Sequence, residues 1–506
     1  MTDAATPPAR TARHAVVIGA GMGGLAAAIS LRAAGWAVTV VERQGNPGGK
    51  LRAIDVGGQA LDAGPTVLTL LPVIERLFSL AGTRAGSHID LERLTTLARH
   101  YWPDGSCLDL FADAAANEAA IEQFSGPGEV DRFRRFHTHA RQVHDTLRTS
   151  FMEASRPNPI LLAWRIGLHR PGALLGISPF ERYWQALAKR FNDPRLRQLY
   201  GRYATYVGAS PFASPATLML IAHVEQLGVW RIPGGLHALA RVLADLSERQ
   251  GARWHLNERV VGLDPVADGW RVRAASGRRW VAQAVVSNAD VSAFAAGEFG
   301  DAARAAVPPT PRASRSLSAI TVNGLFSARG VPLIHHNVFF SADYAAEFDD
   351  LFARRAVPAD PTVYVCAQQR GNATDASAAA APEGMLLLMN APADGGEADA
   401  MPLPADALAH AQRRIAASGL ELTSGATPAV VTRPADFAER FPGSGGALYG
   451  AAGHGWRAAF SRAGARSTLP GVYLAGGSVH PGAGVPMAAL SGLQAADAIL
   501  RDHGRG

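Results

Sequence analysis

A chain of 506 residues, 48% hydrophobic and 18% charged with a net charge of +6, has the composition of a folded protein of roughly two or three domain-sized units, not of a coiled coil or a disordered segment. Lys50 and Lys189 are the only lysines, and no block of like charges or basic stretch with stacking aromatics occurs, which argues against a nucleic-acid partner. Cys107 and Cys366 stand far apart without CxxC spacing, the start MTDAATPPARTARH lacks an apolar signal core, and nowhere do 18 consecutive apolar residues occur, so a cytoplasmic protein that does not span a membrane is expected.

In chain order, residues 15–18 are a short apolar run, Gly19-Ala20-Gly21-Met22-Gly23-Gly24 follows, and residues 25–34 read as an alanine-rich helix closed by Gly35. A second strand, 37–41, ends in Glu42, 18 positions after Gly24, close to the spacing of a ribose-binding carboxylate. Gly19 permits the tight turn, Gly21 lets backbone approach a pyrophosphate, Gly24 lets the helix pack on the strand, and the helix N-terminus receives negative charge. A dinucleotide site is therefore expected, and Glu42 in place of a basic residue disfavours a 2′-phosphate. FAD and NAD both remain open at this point.

The next elements are Asn46-Pro47-Gly48-Gly49-Lys50 and Leu61-Asp62-Ala63-Gly64-Pro65-Thr66. Residues 99–110 read as a hairpin turning at Pro103-Asp104-Gly105. In 158–180, Ile160, Leu161, Leu162, Trp164, Ile166, Leu168, Leu174, Leu175 and Ile177 are interrupted by Arg165, His169 and Arg170, with a break at Pro171-Gly172. That mixture suits a helix at a membrane interface, or an internal core helix. Residues 201–211 lie in a mostly helical region. Val229-Trp230-Arg231-Ile232-Pro233-Gly234-Gly235-Leu236 introduces a helix to Gly251, alternating strands over 253–286 and Ser287-Asn288-Ala289-Asp290. His335 and His336 fall in an apparent strand, where their rings would point to opposite faces. Residues 469–477 read as a strand, and Ser478-Val479-His480-Pro481-Gly482-Ala483-Gly484-Val485-Pro486-Met487 leads into a final helix over 488–500.

The glycine pair after Glu42, the Asp62-Ala63-Gly64-Pro65 strand end, the Trp230 to Gly235 block and the HPGAG-V-P segment together resemble the bacterial carotenoid desaturases, a family of FAD-dependent oxidoreductases. The resemblance covers almost the whole chain and is closest to the 1-hydroxycarotenoid 3,4-desaturases. It implies FAD as cofactor, with Gly19, Gly21, Gly24, Glu42, Gly48, Gly49 and Lys50 at its ADP half, the Val260 backbone at adenine, and Gly476, Gly477, Val485, Pro486 and Met487 at the isoalloxazine. His480 is expected to pack or cap its loop. The implied fold is α/β: a discontinuous Rossmann-like FAD/NAD(P)-binding domain, three-layer ββα, over residues 12–84, 229–300 and 459–506, with a mixed α+β substrate domain inserted over 85–228 and 301–458.

The implied reaction introduces a C-3,4 double bond into an acyclic 1-hydroxycarotenoid such as 1-hydroxyneurosporene, by loss of a hydride to flavin N5 and of a neighbouring proton. The substrate would be drawn from a membrane surface, with oxygen or a quinone as the final electron acceptor and the enzyme peripheral to the inner or intracytoplasmic membrane. No HExxH, ligand-spaced Cys/His cluster or GxSxG elbow occurs, so no metal is expected and the protein's task is positioning. Asp104, Arg202 and Tyr206 are candidate catalytic residues, yet nothing in the sequence gives their geometry and no catalytic residue follows from it. The alternatives are phytoene desaturation, amine oxidation, which the absence of lysine after Lys189 disfavours, and non-catalytic lipid or prenyl carriage.

Overall fold

A computed structural model describes residues 13–167, 172, 176–372 and 382–504. Strand β1 (His14–Ile18), helix α1 (Met22–Ala33) and strand β2 (Ala37–Val41) open a five-stranded parallel sheet in the order Val472–Leu474, Ala284–Ser287, β1, β2, Arg253–His255. β1 shows why the sheet needs cover on both faces. Ala15 and Val17 pack with Ala27, Leu31, Ala495 and Ala496 of two helices, while Val16 and Ile18 pack with Leu263, Trp270 and Val272. The latter belong to a three-stranded antiparallel sheet, Val260–Val266, Gly269–Ala274 and Arg279–Ala282. Helices, parallel sheet and small sheet therefore form the expected three layers, and β1 is apolar throughout because both faces are buried.

The second body is an eight-stranded mixed sheet. Its long strand Ser318–Gly330 pairs with Glu383–Ala391, and the far end is the hairpin Thr96–Tyr101 with Cys107–Phe111, which turns where Pro103-Asp104-Gly105 predicts. The helix Ala407–Ala416 covers one face through Ala407, Ala411 and Ile415. A helical layer that includes Pro127–Leu147 and Leu220–Leu227 covers the other, and a short 3₁₀ turn, Arg202–Val207, lies in that layer.

Two expected helix starts move. α1 begins at Met22 and the last helix, Val485–His503, begins at Val485, because glycines are tolerated in a first turn and Pro486 there lacks only an N–H that has no intrahelical acceptor. No helix among the described residues is long and apolar enough to cross a membrane. Leu168, His169, Arg170, Pro171, Leu174 and Leu175 lie outside the described residues.

Candidate functional site

The turn between β1 and α1 carries Gly19 at φ +91°. A Cβ on Gly24 would stand inside the contact radius of the Gly19 carbonyl oxygen, so this glycine is required by the turn itself. A Cβ on Gly21 would lie 2.6 Å from Asn288 Nδ2. Asn288 follows the strand Ala284–Ser287, and its Oδ1 accepts the Gly24 N–H at 2.7 Å. The second glycine pair comes up against the first: the Gly48 N–H donates to Ala20 O at 2.8 Å, and a Cβ on Gly49 would meet Gly21 Cα at 3.2 Å. Gly48 and Gly49 take φ +121° and +61°, values that other residues adopt only under strain. Two backbone turns without side chains thus lie side by side over a helix N-terminus.

Glu42 ends β2, buried, with Oε2 accepting the Ala20 N–H at 2.6 Å and Oε1 the Gln44 N–H at 2.8 Å. Burial pushes its carboxyl above the usual range, and the backbone N–H bonds oppose that shift. Each oxygen keeps a lone pair for a hydroxyl donor. Val260 lies close by, since the Glu258 N–H donates to Glu42 O at 2.8 Å and Val260 packs with Val41.

The chain returns at Gly476, whose N–H donates to Ser491 Oγ at 2.7 Å. A Cβ on Gly477 would meet nothing within 4 Å. In the last helix the Ala488 N–H is already satisfied by Gly484 O at 2.9 Å. The Val485 and Met487 N–H groups, ahead of it, form the positive end of the helix, while Pro486 has no N–H. This helix seats directly on α1, because a Cβ on Gly492 would clash with the Gly23 carbonyl. The two ends of the chain are thereby held in one rigid unit.

Two cations lie between them. Arg462 donates to the carbonyls of Tyr449 (2.8 Å), Gly477 (3.1 Å) and Ala451 (2.8 Å), and burial lowers it to about 10. Lys50 turns to the Leu448 carbonyl and the Phe441 ring, and burial lowers it as well. Asp290 opposes both shifts, with Oδ2 buried and unpartnered. Two buried cations against one acid leave a positive potential that suits a pyrophosphate or an electron-rich ring. Asn288, Asp290 and Arg462 were not among the residues expected at this site. The first two follow a buried strand at the carboxyl edge of a parallel sheet, a place where ligands collect, whereas nothing local marks Arg462.

The flavin-containing amine oxidoreductase family profile matches residues 22–500. The chain belongs to that family. Hydroxyneurosporene desaturase of Rubrivivax gelatinosus is 46% identical over 504 residues, covering 97% of this chain and 94% of that protein. The protein of the same name from Rhodobacter capsulatus is 44% identical, covering 98% and 99%. Among solved structures, a putrescine oxidase with bound putrescine superposes with a TM-score of 0.59 at 16% identity over 97% and 99% of the two chains, a likeness of fold alone. Within the amine oxidoreductase family the chain thus falls among the bacterial carotenoid desaturases, and it is an FAD-dependent oxidoreductase. The paired glycine turns, the caged Glu42 and the open N-terminus of the last helix fit the phosphates, ribose and ring of FAD in turn.

Polar side chains also meet under the helical layer, on the eight-stranded sheet. Tyr364 OH lies 2.7 Å from Thr66 Oγ1 and 2.6 Å from His336 Nδ1. Tyr203 OH donates to Glu225 Oε2 at 2.6 Å, and burial raises Glu225 to about 7. Asp104 is instead exposed at the hairpin tip, accepting from Ser106 N–H (2.9 Å) and Oγ (2.6 Å). His480 anchors its loop as expected: Nε2 lies 3.0 Å from both Phe151 O and Ala154 O, and burial lowers the ring to about 4, which makes it a neutral donor.

The expectation for His335 and His336 is corrected. The strand begins only at His336, so His335 sits in the preceding turn and the two rings meet edge to face at 4.4 Å. With Cys366 they place three potential ligand atoms within 4.8 Å of one another, a cluster that sequence spacing did not show. Burial lowers His335 to about 4, lowers His336 further and raises Cys366 to about 12, and His335 Nδ1 is bound to Arg370 O at 2.8 Å. The three side chains are buried, with His336 Nδ1 on Tyr364 OH and His336 Nε2 without a hydrogen-bond partner among the described residues.

Proposed function

We propose that the protein introduces the C-3,4 double bond into acyclic 1-hydroxycarotenoids such as 1-hydroxyneurosporene. The observation that carries this is identity of 41–46% with three hydroxyneurosporene desaturases along nearly the whole chain. The proposed FAD contacts are Gly19, Gly21, Gly24, Glu42, Gly48, Gly49, Lys50, Val260, Gly476, Gly477, Val485, Pro486 and Met487. FAD, when bound, supplies a hydride acceptor. The Val485 and Met487 N–H groups and the end of their helix stabilise negative charge at the ring, and the apolar face under the helical layer excludes water. The cofactor body is assigned to 12–84, 229–300 and 459–506 and the substrate body to 85–228 and 301–458. Support comes from the five-, three- and eight-stranded sheets, each of whose strands falls within one set of segments, while the pair Glu92–Arg93 with Trp230–Arg231 crosses between the two.

Anaerobic incubation of FAD-loaded protein with liposomes carrying 1-hydroxyneurosporene or phytoene tests the reading. Flavin bleaching with a red-shifted product from the hydroxylated polyene alone is the expected result, while bleaching by phytoene alone would transfer the assignment to phytoene desaturation.

The enzyme also works as a peripheral membrane protein in this proposal. On and near the helix Pro159–Ile166, Ile160 is 82% exposed, Trp164 69% and Phe180 76%. Phe180 meets Trp456 at 5.4 Å, and Arg457 lies over the Trp456 ring. Burying each large apolar side chain in lipid is worth about 1.5–3 kcal/mol. The double variant Ile160→Ser/Trp164→Ser is expected to weaken liposome binding at least about tenfold in sedimentation, with flavin content unchanged. Binding at the wild-type level would remove this helix from the membrane contact.

A further inference from the structure

Arg202 and Arg414 are equally buried, each 6% exposed, but they differ in one respect. Arg414 pairs with Asp360 at 3.1 Å and donates to Ser418 Oγ at 3.0 Å. Both Nε atoms are buried with no acceptor, but among the described residues Arg202 has no ion pair or side-chain hydrogen bond at all. A guanidinium withdrawn from water without a partner costs several kcal/mol. No described residue supplies that partner, which leaves the place open to a bound molecule.

The surroundings define the partner. Glu225 and Glu347 act on Arg202 electrostatically but have other hydrogen-bond partners. Glu225 accepts from Tyr203, and Glu347 accepts from Ser341 Oγ and Thr362 Oγ1, each at 2.6 Å, and from the Thr362 N–H at 3.1 Å. Tyr344 OH, also buried, has no partner, and its ring lies against the turn that carries Arg202, Cε1 standing 3.5 Å from where a Cβ on Gly201 would be. Its ring packs on Phe348 at 5.0 Å and Phe340 at 6.1 Å, inside the apolar cluster of the helical layer. Unused polar atoms therefore stand in an apolar wall. Two nearby acids disfavour an anionic ligand, which leaves a neutral oxygen able to accept from a cation and donate to a phenol.

We propose that Arg202 and Tyr344 form the receptor for the hydroxyl group of an otherwise apolar polyene substrate. The guanidinium donates to the hydroxyl oxygen and the hydroxyl proton goes to the Tyr344 oxygen, which uses the donor and acceptor capacity of an alcohol. This rests on the desaturase reading and deepens it. Tyr206, on the same turn as Arg202, is within electrostatic reach of Tyr364 and Tyr449, and Tyr364 is bonded to Thr66 beside the cofactor body. A hydroxyl held at Arg202 lies a few carbon–carbon bonds from the carbons to be oxidised, so the receptor selects which of them faces the flavin.

The test compares 1-hydroxyneurosporene with neurosporene, the same polyene without the hydroxyl, in wild type, Arg202→Met and Tyr344→Phe. It reads the dissociation constant from perturbation of the flavin spectrum and kcat/KM from anaerobic bleaching. A hydrogen bond to a charged group predicts that the preference for the hydroxylated compound falls about 10- to 100-fold in R202M, and the neutral bond about 3- to 10-fold in Y344F. R202M is also expected to melt no lower than wild type, because an unpaired buried charge becomes apolar. Y344F, which keeps the ring packing, carries the test if R202M loses FAD. Equal binding of the two compounds by wild type, or an unchanged preference in the variants, overturns the receptor. A preference for the hydroxylated polyene in binding, with no bleaching by it, would overturn the desaturase reading and leave the receptor standing.

Discussion

Replacing Gly21 with valine yields a folded but colourless protein. A Cβ at this position would lie 2.6 Å from Asn288 Nδ2, and the same Asn288 holds the Gly24 N–H through Oδ1. The branched side chain therefore displaces Asn288 and also fills the space into which the second glycine turn fits, since Gly49 already approaches Gly21 Cα closely. Both turns lose the backbone surface that a pyrophosphate would contact. With the charge-assisted contacts of one phosphate lost and a steric clash added, at least about 3 kcal/mol is removed, a loss of more than roughly 100-fold in FAD affinity. Desalting followed by flavin absorbance at constant protein concentration checks it, with circular dichroism confirming the fold. Retention of FAD at the wild-type level would show that this turn does not hold the cofactor.

The second large effect is on stability and comes from Asp62. It is buried, Oδ2 accepts the Leu236 N–H at 2.5 Å, and Oδ1 accepts the His237 N–H at 3.0 Å and lies 2.7 Å from His237 Nδ1. Its backbone carbonyl accepts from Asn323 Nδ2 at 2.8 Å and Gln368 Nε2 at 2.9 Å. One residue thus joins the hairpin Ala53–Asp62 to the start of the helix His237–Arg249 and to the eight-stranded sheet. Asp62→Ala leaves two backbone N–H groups and an imidazole without their acceptor in a dry site, at a cost of about 3–5 kcal/mol. Asp62→Asn, which keeps one acceptor oxygen, is expected to lose about half as much. Urea unfolding followed by flavin release measures both. A loss below about 1 kcal/mol for D62A would mean that water replaces the carboxylate and that the joint is not structural.

The parts legible beforehand are those in which neighbouring residues carry the whole signal. β1, its glycine turn, α1 and β2 with Glu42 at its end form one continuous stretch, and the stereochemistry of the turn excludes most side chains. The hairpin at Pro103-Asp104-Gly105 is legible for the same reason. The last helix starts at Val485, three residues before the expected 488, because the first turn of a helix accepts Pro486. The alternation that would place the His335 and His336 rings on opposite faces begins only at His336.

By itself the sequence determined the dinucleotide turn, the acid at the end of β2, the layered α/β architecture and the resemblance that led to FAD. The first two depend on turn geometry and a contiguous motif, whereas the architecture and FAD are what the resemblance implies. Only the tertiary structure decided that Asn288 closes the glycine turn, that Arg462 and Lys50 charge the space between the two chain ends, that Asp62 joins the two bodies and that Arg202 is buried with no hydrogen-bond or ion-pair partner among the described residues. Those facts turn on desolvation and pairing, and a charged or polar group meets its partner, or fails to, only once segments hundreds of residues apart have packed around it.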